Sequence, residues 1–231
     1  VSQSKYAFTL SSDLFLKDPM SSESGRRMLA VGASLIFEMG LENFTSKKLA
    51  QAAGVTEATV YKYFANKHRL LQYYFQLYWT WLEQQIKVFT AIESQVAQRL
   101  QKAVRVLCQM PEVAADPGVV SKEELRRLVV AEGTKAYLHV QVDADNAKKL
   151  FAPYKSVTAI LAAMIKEVRP DLSYPFALAT TLVEMSHSLE FYRLHLPALT
   201  DFPDDKQNDK LALFLLNILS ETLHLNNKHH E

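Results

Sequence analysis

Between Arg26 and Met39, apolar residues (Leu29, Ala33, Ile36, Phe37) return every three or four positions, the period of a helix with one buried face. Gly40 follows, a common residue at a helix C-terminus. Thr45 is placed to cap a short helix from Ser46 to Ala53, Gly54 interrupts it, and Thr56 caps a second short helix from Glu57 to Phe64. Asn66 then caps a long helix from Lys67 to about Phe89. Downstream, helical spacing covers about Ser94 to Met110, ended by Pro111, and Asp116-Pro117-Gly118 marks a loop. Ser121-Lys122-Glu123-Glu124 is a capping box that opens another helix. Further helices are expected between Asp145 and Val168, kinked or divided at Pro153, from about Tyr174 to Leu194, and from about Lys206 to Leu223. There is no alternating strand pattern and no internal repeat, so the chain reads as all-α. Before Ser24 lies an arm whose serines argue for looseness and whose apolar residues (Tyr6, Phe8, Leu10, Leu14, Phe15, Leu16) argue for docking; the pattern leaves both open.

Two helices are too apolar for a single buried face. In the long one only Gln72, Gln76 and Thr80 interrupt a run from Leu70 to Leu82, one polar residue per turn, which predicts burial on most sides. The last carries Leu211, Phe214, Leu215, Ile218 and Leu219 in one stripe, extended by Leu213, Leu216 and Leu223. The helix before it spaces Ala179, Leu182, Val183, Ser186, Leu189 and Arg193 along one face. Two copies of this pair would form a four-helix bundle and bury both faces, which predicts a homodimer through the last two helices.

Composition excludes several classes. Of 231 residues, 48% are hydrophobic and 22% charged, too much core material for a disordered chain. A lone cysteine, Cys108, rules out an intrachain disulfide framework and a thiolate zinc cluster. No apolar run is long enough for a membrane span, and no Gly-rich phosphate loop occurs. The first residues lack the pattern of a signal peptide, so the cytoplasm is the expected compartment. Net charge is only +1, but residues 24–70 carry seven basic side chains against three acidic ones, a local charge of +4, on an otherwise mildly acidic chain. That asymmetry fits a nucleic-acid module joined to another part.

Within that basic stretch, Ala50, Gly54 and Val60 have the spacing of a helix-turn-helix. The small Ala50 lets two helices cross closely, Gly54 tolerates a left-handed turn, and Val60 is buried between the pair, with Leu49, Ala53, Val55 and Phe64 completing the core. The segment Leu29 to Leu71, LAVGASLIFEMGLENFTSKKLAQAAGVTEATVYKYFANKHRLL, resembles the DNA-binding domain of the tetracycline-repressor (TetR) family of bacterial transcription regulators. The matching features are Phe37-x-x-Gly40, Phe44-Thr45, Leu49-Ala50-x-x-Ala53-Gly54-Val55, Thr59-Val60-Tyr61-x-Tyr63-Phe64 and Lys67-x-x-Leu70-Leu71. The resemblance implies an N-terminal three-helix DNA-binding domain and a C-terminal helical domain that binds a small molecule and dimerises. The expected division is an arm at 1–23, a helix-turn-helix domain at 24–70, and an effector-binding and dimerisation domain at 71–231.

In that arrangement the second helix enters the major groove. Thr45, Thr56 and Asn66 sit at helix N-termini, whose free N–H groups attract phosphate. Lys67 lies beside such a terminus, where a cation is unfavourable unless an anion such as phosphate offsets it. The resemblance assigns phosphate contacts to Tyr61 and Tyr63, and Lys47, Lys48 and Lys62 add sequence-independent attraction. Base reading falls to Glu57, Ala58, Thr59 and Lys62. Ala58 and the Thr59 methyl suit a thymine methyl, and Lys62 suits guanine acceptors or a phosphate. Glu57 either accepts from a cytosine amine or, as favoured here, satisfies the helix dipole. Ala58 departs from the glycine common at that place in the family, adding a methyl near the groove.

For a small apolar or aromatic effector the expected pocket residues are Tyr74, Tyr78, Leu107, Cys108, Tyr137, Phe151, Met164, His187 and Phe191. Glu184 and His187, three apart, make half a metal site at most, and a hydrogen-bonded or exposed histidine is the simpler reading. No nucleophile–base pair or close carboxylate pair stands out. Neither catalytic residues, a cofactor nor a resident metal is therefore expected. The alternative to a ligand-switched regulator is a DNA-bound structural factor whose core is simply filled. The expected function is a sequence-specific transcription regulator, a ligand-responsive repressor acting as a homodimer on a near-palindromic operator.

Overall fold

A computed structural model describes residues 8–111 and 114–225. The tail His229-His230-Glu231, expected as a flexible end, lies outside the described residues, as do residues 1–7 of the arm. Among the described residues there are ten α-helices and no strand: α1 (Glu23–Asn43), α2 (Ser46–Ala53), α3 (Glu57–Tyr63), α4 (Lys67–Thr90), α5 (Val96–Cys108), α6 (Lys122–Glu132), α7 (Val142–Ala147), α8 (Ala152–Val168), α9 (Pro175–His195) and α10 (Asp209–Leu223). No helix among them is long and apolar enough to cross a membrane.

The helix ends follow local chemistry. Ser22 starts α1 by accepting the Gly25 N–H at 3.1 Å, and the helix bends at Gly40, which has φ 73°, before running on to Asn43. The capping box at Ser121 forms as expected: its hydroxyl takes the Glu124 N–H while the Glu124 carboxylate reaches back. The segment from Asp145 to Val168 is divided rather than kinked. The chain turns at Lys149, with φ 60°, and Pro153 falls in the first turn of α8, where its missing N–H breaks no helical bond. α10 begins at Asp209, not Lys206, because the Asp205 carboxylate accepts the N–H groups of Asp209 and Leu211, each at 2.9 Å.

Two compact units result. The first comprises Val1–Trp81 and Val113–Tyr154, the second Leu82–Glu112 and Lys155–Glu231. In the first unit α1 packs against α2 and α6, burying Met28, Leu29, Ala33 and Ile36. The Ser34 hydroxyl donates to the Glu124 carboxylate of α6, and the Arg127 guanidinium lies over the Phe37 ring at 4.2 Å. The described part of the arm, from Phe8 onward, docks: Leu14 is buried, and the Ser11 N–H donates to Gln76 Oε1 at 2.7 Å.

The polar stripe of α4 does not face water. Gln72 and Gln76 are both buried. Gln72 Nε2 donates to Asp145 Oδ2 at 2.7 Å and to Ala136 O at 3.1 Å, while Gln76 Nε2 donates to Leu150 O at 3.0 Å. This stretch of α4 is thus buried on its polar side too, held by hydrogen bonds that α7 and its flanks supply.

In the second unit α5, α9 and α10 pack on one another. Ala179, Leu182, Val183 and Ser186, expected to form a dimer face, are buried within this unit, so that spacing serves the subunit's own core. Asn208 ties the elements together, donating through Nδ2 to Cys108 O and to Glu190 Oε2, both at 3.0 Å.

Candidate nucleic-acid interface

The turn between α2 and α3 is built by four residues. The Thr45 hydroxyl accepts the Lys48 N–H at 3.2 Å and so starts α2. Gly54 ends it in the left-handed conformation, φ 63°, which an L side chain disfavours. The Val55 N–H returns to Ala50 O at 2.9 Å, and the Thr56 hydroxyl accepts the Thr59 N–H at 3.2 Å to start α3. Ala50, Ala53, Val60 and Phe64 are buried at the crossing, as their spacing requires. Asn66 caps α4, accepting the Arg69 N–H through Oδ1 at 2.9 Å.

With that face turned inward, the cap Thr56 and Glu57, Ala58, Tyr61 and Lys62 of α3 are exposed, as are the cap Thr45 and Lys47 and Lys48 of α2. Thr59 is half-buried, its hydroxyl 2.9 Å from that of Thr56. Tyr61 keeps 48% of its surface in solvent, available to a phosphate. The patch holds three lysines against one carboxylate, which suits a polyanion. Lys48 also donates to Asn43 O at 2.9 Å, a bond that anchors its ammonium beside the turn.

One expected contact, Tyr63, is corrected, and for another, Lys67, the physical reason changes. Tyr63 is only 4% exposed, and its hydroxyl pairs with the Ser22 hydroxyl at 2.6 Å, so it is a core residue joining α3 to the start of α1 and not a phosphate ligand. Its place on the far side of α3 from Tyr61, two residues away, is what helical geometry dictates. The Lys67 ammonium donates to Leu41 O at 2.8 Å and Glu42 O at 3.1 Å. Carbonyls at the end of α1 thus offset its position beside a helix N-terminus, and that position no longer argues by itself for phosphate.

Two neighbours escaped the sequence reading. Lys17 of the arm lies 5.6 Å from the centre of the Tyr63 ring, placed there because the Leu16 N–H donates to Tyr63 O at 2.7 Å. No periodicity announces such a long-range contact. His68, next to Lys67, is held below its ordinary value by desolvation and then by the Lys67 charge, so it adds no cation to the patch near neutral pH.

The nine expected effector residues divide between the two units. Tyr74, Tyr78, Tyr137 and Phe151 belong to the first; Leu107, Cys108, Met164, His187 and Phe191 belong to the second. Tyr74 and Tyr78 are fully buried, Tyr74 donating to Leu29 O at 2.9 Å and Tyr78 accepting from Arg126 Nη1 at 3.2 Å. Tyr137 and Phe151 flank Phe75, with ring centres 5.8 and 6.3 Å away. Leu107 and Cys108 are fully buried, and Met164, His187 and Phe191 are half-buried. His187 Nδ1 lies 3.1 Å from Val183 O, one turn back, the hydrogen-bonded arrangement expected of it. A cavity of about 320 Å³ does open in the first unit, but none of the nine lines it.

Residues 28–74 match the family model of the bacterial regulatory proteins of the tetR family. No curated protein matches the sequence. Among solved structures, AibR in complex with isovaleryl coenzyme A and operator DNA aligns with a TM-score of 0.60 at 17% identity, covering 85% of this chain and 97% of that one. The fatty acid degradation regulator FadR from Bacillus halodurans aligns at 0.59 and 20% identity, covering 84% and 96%. The TetR-family regulator PfmR from Thermus thermophilus aligns at 0.59 and 16% identity, covering 89% and 97%. At these identities the likeness is one of fold.

Proposed function

We propose that residues 28–74, which match the model of the bacterial regulatory proteins of the tetR family, form a DNA-binding domain, and that the chain is a ligand-responsive transcription regulator, a repressor that acts as a homodimer on a near-palindromic operator. The observation that carries this reading is the division of α3. Val60 and Tyr63 are buried, while Thr56, Glu57, Ala58, Tyr61 and Lys62 are left on an open, lysine-bearing face. That is what a helix must present to read base edges in a major groove.

Two such helices, set about 34–36 Å apart by a two-fold axis, enter successive grooves. The apolar side chains that α10 leaves in solvent, Leu213 and Phe214, support pairing through the last helices. A small effector acts by preferring one setting of the paired recognition helices, and it shifts operator affinity by its differential affinity for the two settings. α4 starts just beyond α3 and continues without a break to Thr90, which makes it the natural carrier of such a change. The AibR structure, with isovaleryl coenzyme A and operator DNA in one complex, supports regulation of this kind. Such a regulator works in the cytoplasm, beside the DNA it reads.

The test is fluorescence anisotropy on duplexes selected from random DNA, repeated across a salt series. Lys47→Ala and Lys48→Ala are expected to weaken all sequences alike and to lower the slope of log affinity against log salt by about 1 each. Thr59→Ala and Lys62→Ala are expected to change which sequences are selected. A chain that ignores every duplex at low salt defeats the proposal.

A further inference from the structure

The cavity of about 320 Å³ is walled by four stretches far apart in sequence: Phe15 and Met20 of the arm, Leu29 of α1, Tyr73 and Leu77 of α4, and Val119 of the loop before α6. We propose that it is a ligand site for a small neutral molecule with an apolar body and one hydrogen-bond acceptor, to which the Tyr73 hydroxyl donates.

Tyr73 carries the argument. It lines the cavity and is only 3% exposed; no described residue hydrogen-bonds its hydroxyl, and that oxygen, not being fully enclosed, opens on the cavity. A tyrosine hydroxyl so placed is able to donate to a guest. The ring is gripped edge-on by Phe15, Phe64 and Tyr74, with centres 6.3, 5.6 and 6.0 Å away, so it is not free to swing toward another acceptor. Burial, reinforced by the negative charge of Asp18, holds the phenol well above its ordinary value, so it remains a donor at physiological pH.

The wall also selects charge and size. Asp18 is the one ionisable carboxylate on it, anchored by accepting the Met20 N–H at 2.8 Å, and it opposes an anionic guest. A dry cavity of roughly 150 Å³ accommodates benzene, so one about twice that size suits a bicyclic ring or an equivalent branched chain.

The site touches the recognition helix from behind. Tyr73 packs on Phe64, the residue that ends α3, and the arm next to Phe15 is pinned to α3 by the Leu16 N–H to Tyr63 O bond. A guest that moves the arm therefore alters what holds the end of α3. This coupling rests on the DNA-binding reading; the site itself does not.

The experiment uses the full chain with methyl-labelled methionine, the Met20 resonance being assigned through Met20→Leu, and two probes of matched size: neutral 2-acetylnaphthalene and anionic 2-naphthoate. The ketone is expected to shift the Met20 methyl saturably, and the naphthoate to bind at least about tenfold more weakly. Tyr73→Phe is expected to weaken the ketone about three- to tenfold. Val119→Phe, which fills the space, is expected to abolish the shift while circular dichroism stays that of the wild type. A silent Met20 methyl up to the solubility limit, equal binding of the two probes, or an unaffected Tyr73→Phe overturns the site. If Tyr73→Phe fails to fold, the contrast between probes on the unaltered protein decides. In a second arm, the ketone is expected to change affinity for a random duplex at low salt by more than about twofold. DNA binding that the ketone leaves unchanged overturns the coupling alone, and absence of any DNA binding overturns the proposed function while leaving the site standing.

Discussion

Tyr74 reaches Leu29 O across the contact between α1 and α4 only because residue 32 lacks a side chain: a Cβ there would stand 2.4 Å from the Tyr74 hydroxyl. Gly32→Ala must push aside a fully buried tyrosine, and it is expected to cost about 1–3 kcal/mol in denaturant unfolding despite the helix-favouring alanine. Asp145 sits at a similar junction. It is 3% exposed, paired with Arg69 at 2.8 Å and hydrogen-bonded by Gln72 at 2.7 Å. Burial would raise its carboxyl, but the hydrogen bonds from Gln72 and Arg69 and the Arg69 charge outweigh that and hold it below the usual carboxylate range. Asp145→Asn leaves the Arg69 guanidinium without its counter-charge and is expected to lower stability by roughly 2–4 kcal/mol in the same measurement.

Among the elements, α3 and α10 show most clearly how a helix divides its surface. α3 gives one face to the core and the other to solvent. α10 buries Leu211, Leu215 and Leu219, spaced four apart, yet leaves Leu213 and Phe214 at 53% and 40% exposure. Under the proposed pairing of two copies through the last helices, these side chains would lie in the interface. Phe214→Glu is expected to leave the circular dichroism spectrum intact. If the chain pairs as proposed, sedimentation should show the dissociation constant of that pair raised by a factor of at least about 30, as loss of an interface anchor does. A variant that sediments like the wild type places the dimer contact elsewhere.

For the molecule as a whole, acid is the revealing stress. His68 is lowered by desolvation and the Lys67 charge; Glu124 is lowered chiefly by the Ser34 hydrogen bond, against its own burial; Asp145 is lowered as described. In each case the unfolded chain binds the proton more readily than the folded one, so each contributes stability that is lost as pH falls. The loss is expected to begin just below the ordinary histidine value of 6.5 and to steepen below the ordinary Glu and Asp values of 4.5 and 3.8. Melting temperatures measured from pH 8 to pH 3 check this; a midpoint that rises on acidification contradicts it.

The sequence by itself determined whatever depends on neighbours a few residues away. Thr45, Thr56, Asn66 and Ser121 cap the helices they were expected to cap, Gly54 takes the left-handed turn, and Ala50 and Val60 are buried at the crossing. Caps and turns use partners within about one helical turn, so their chemistry is written locally. The tertiary structure decided what depends on distant partners. It drew the Tyr63 hydroxyl to Ser22, 41 residues away, and Lys67 to the end of α1; it buried Gln72 and Gln76 against segments more than sixty residues on. It also docked the described part of an arm that composition left ambiguous, and it opened a cavity where no expected effector residue lies. A hydrophobic period says that a side chain is buried but not against what, and a polar residue among apolar ones looks the same whether it meets water or a buried partner.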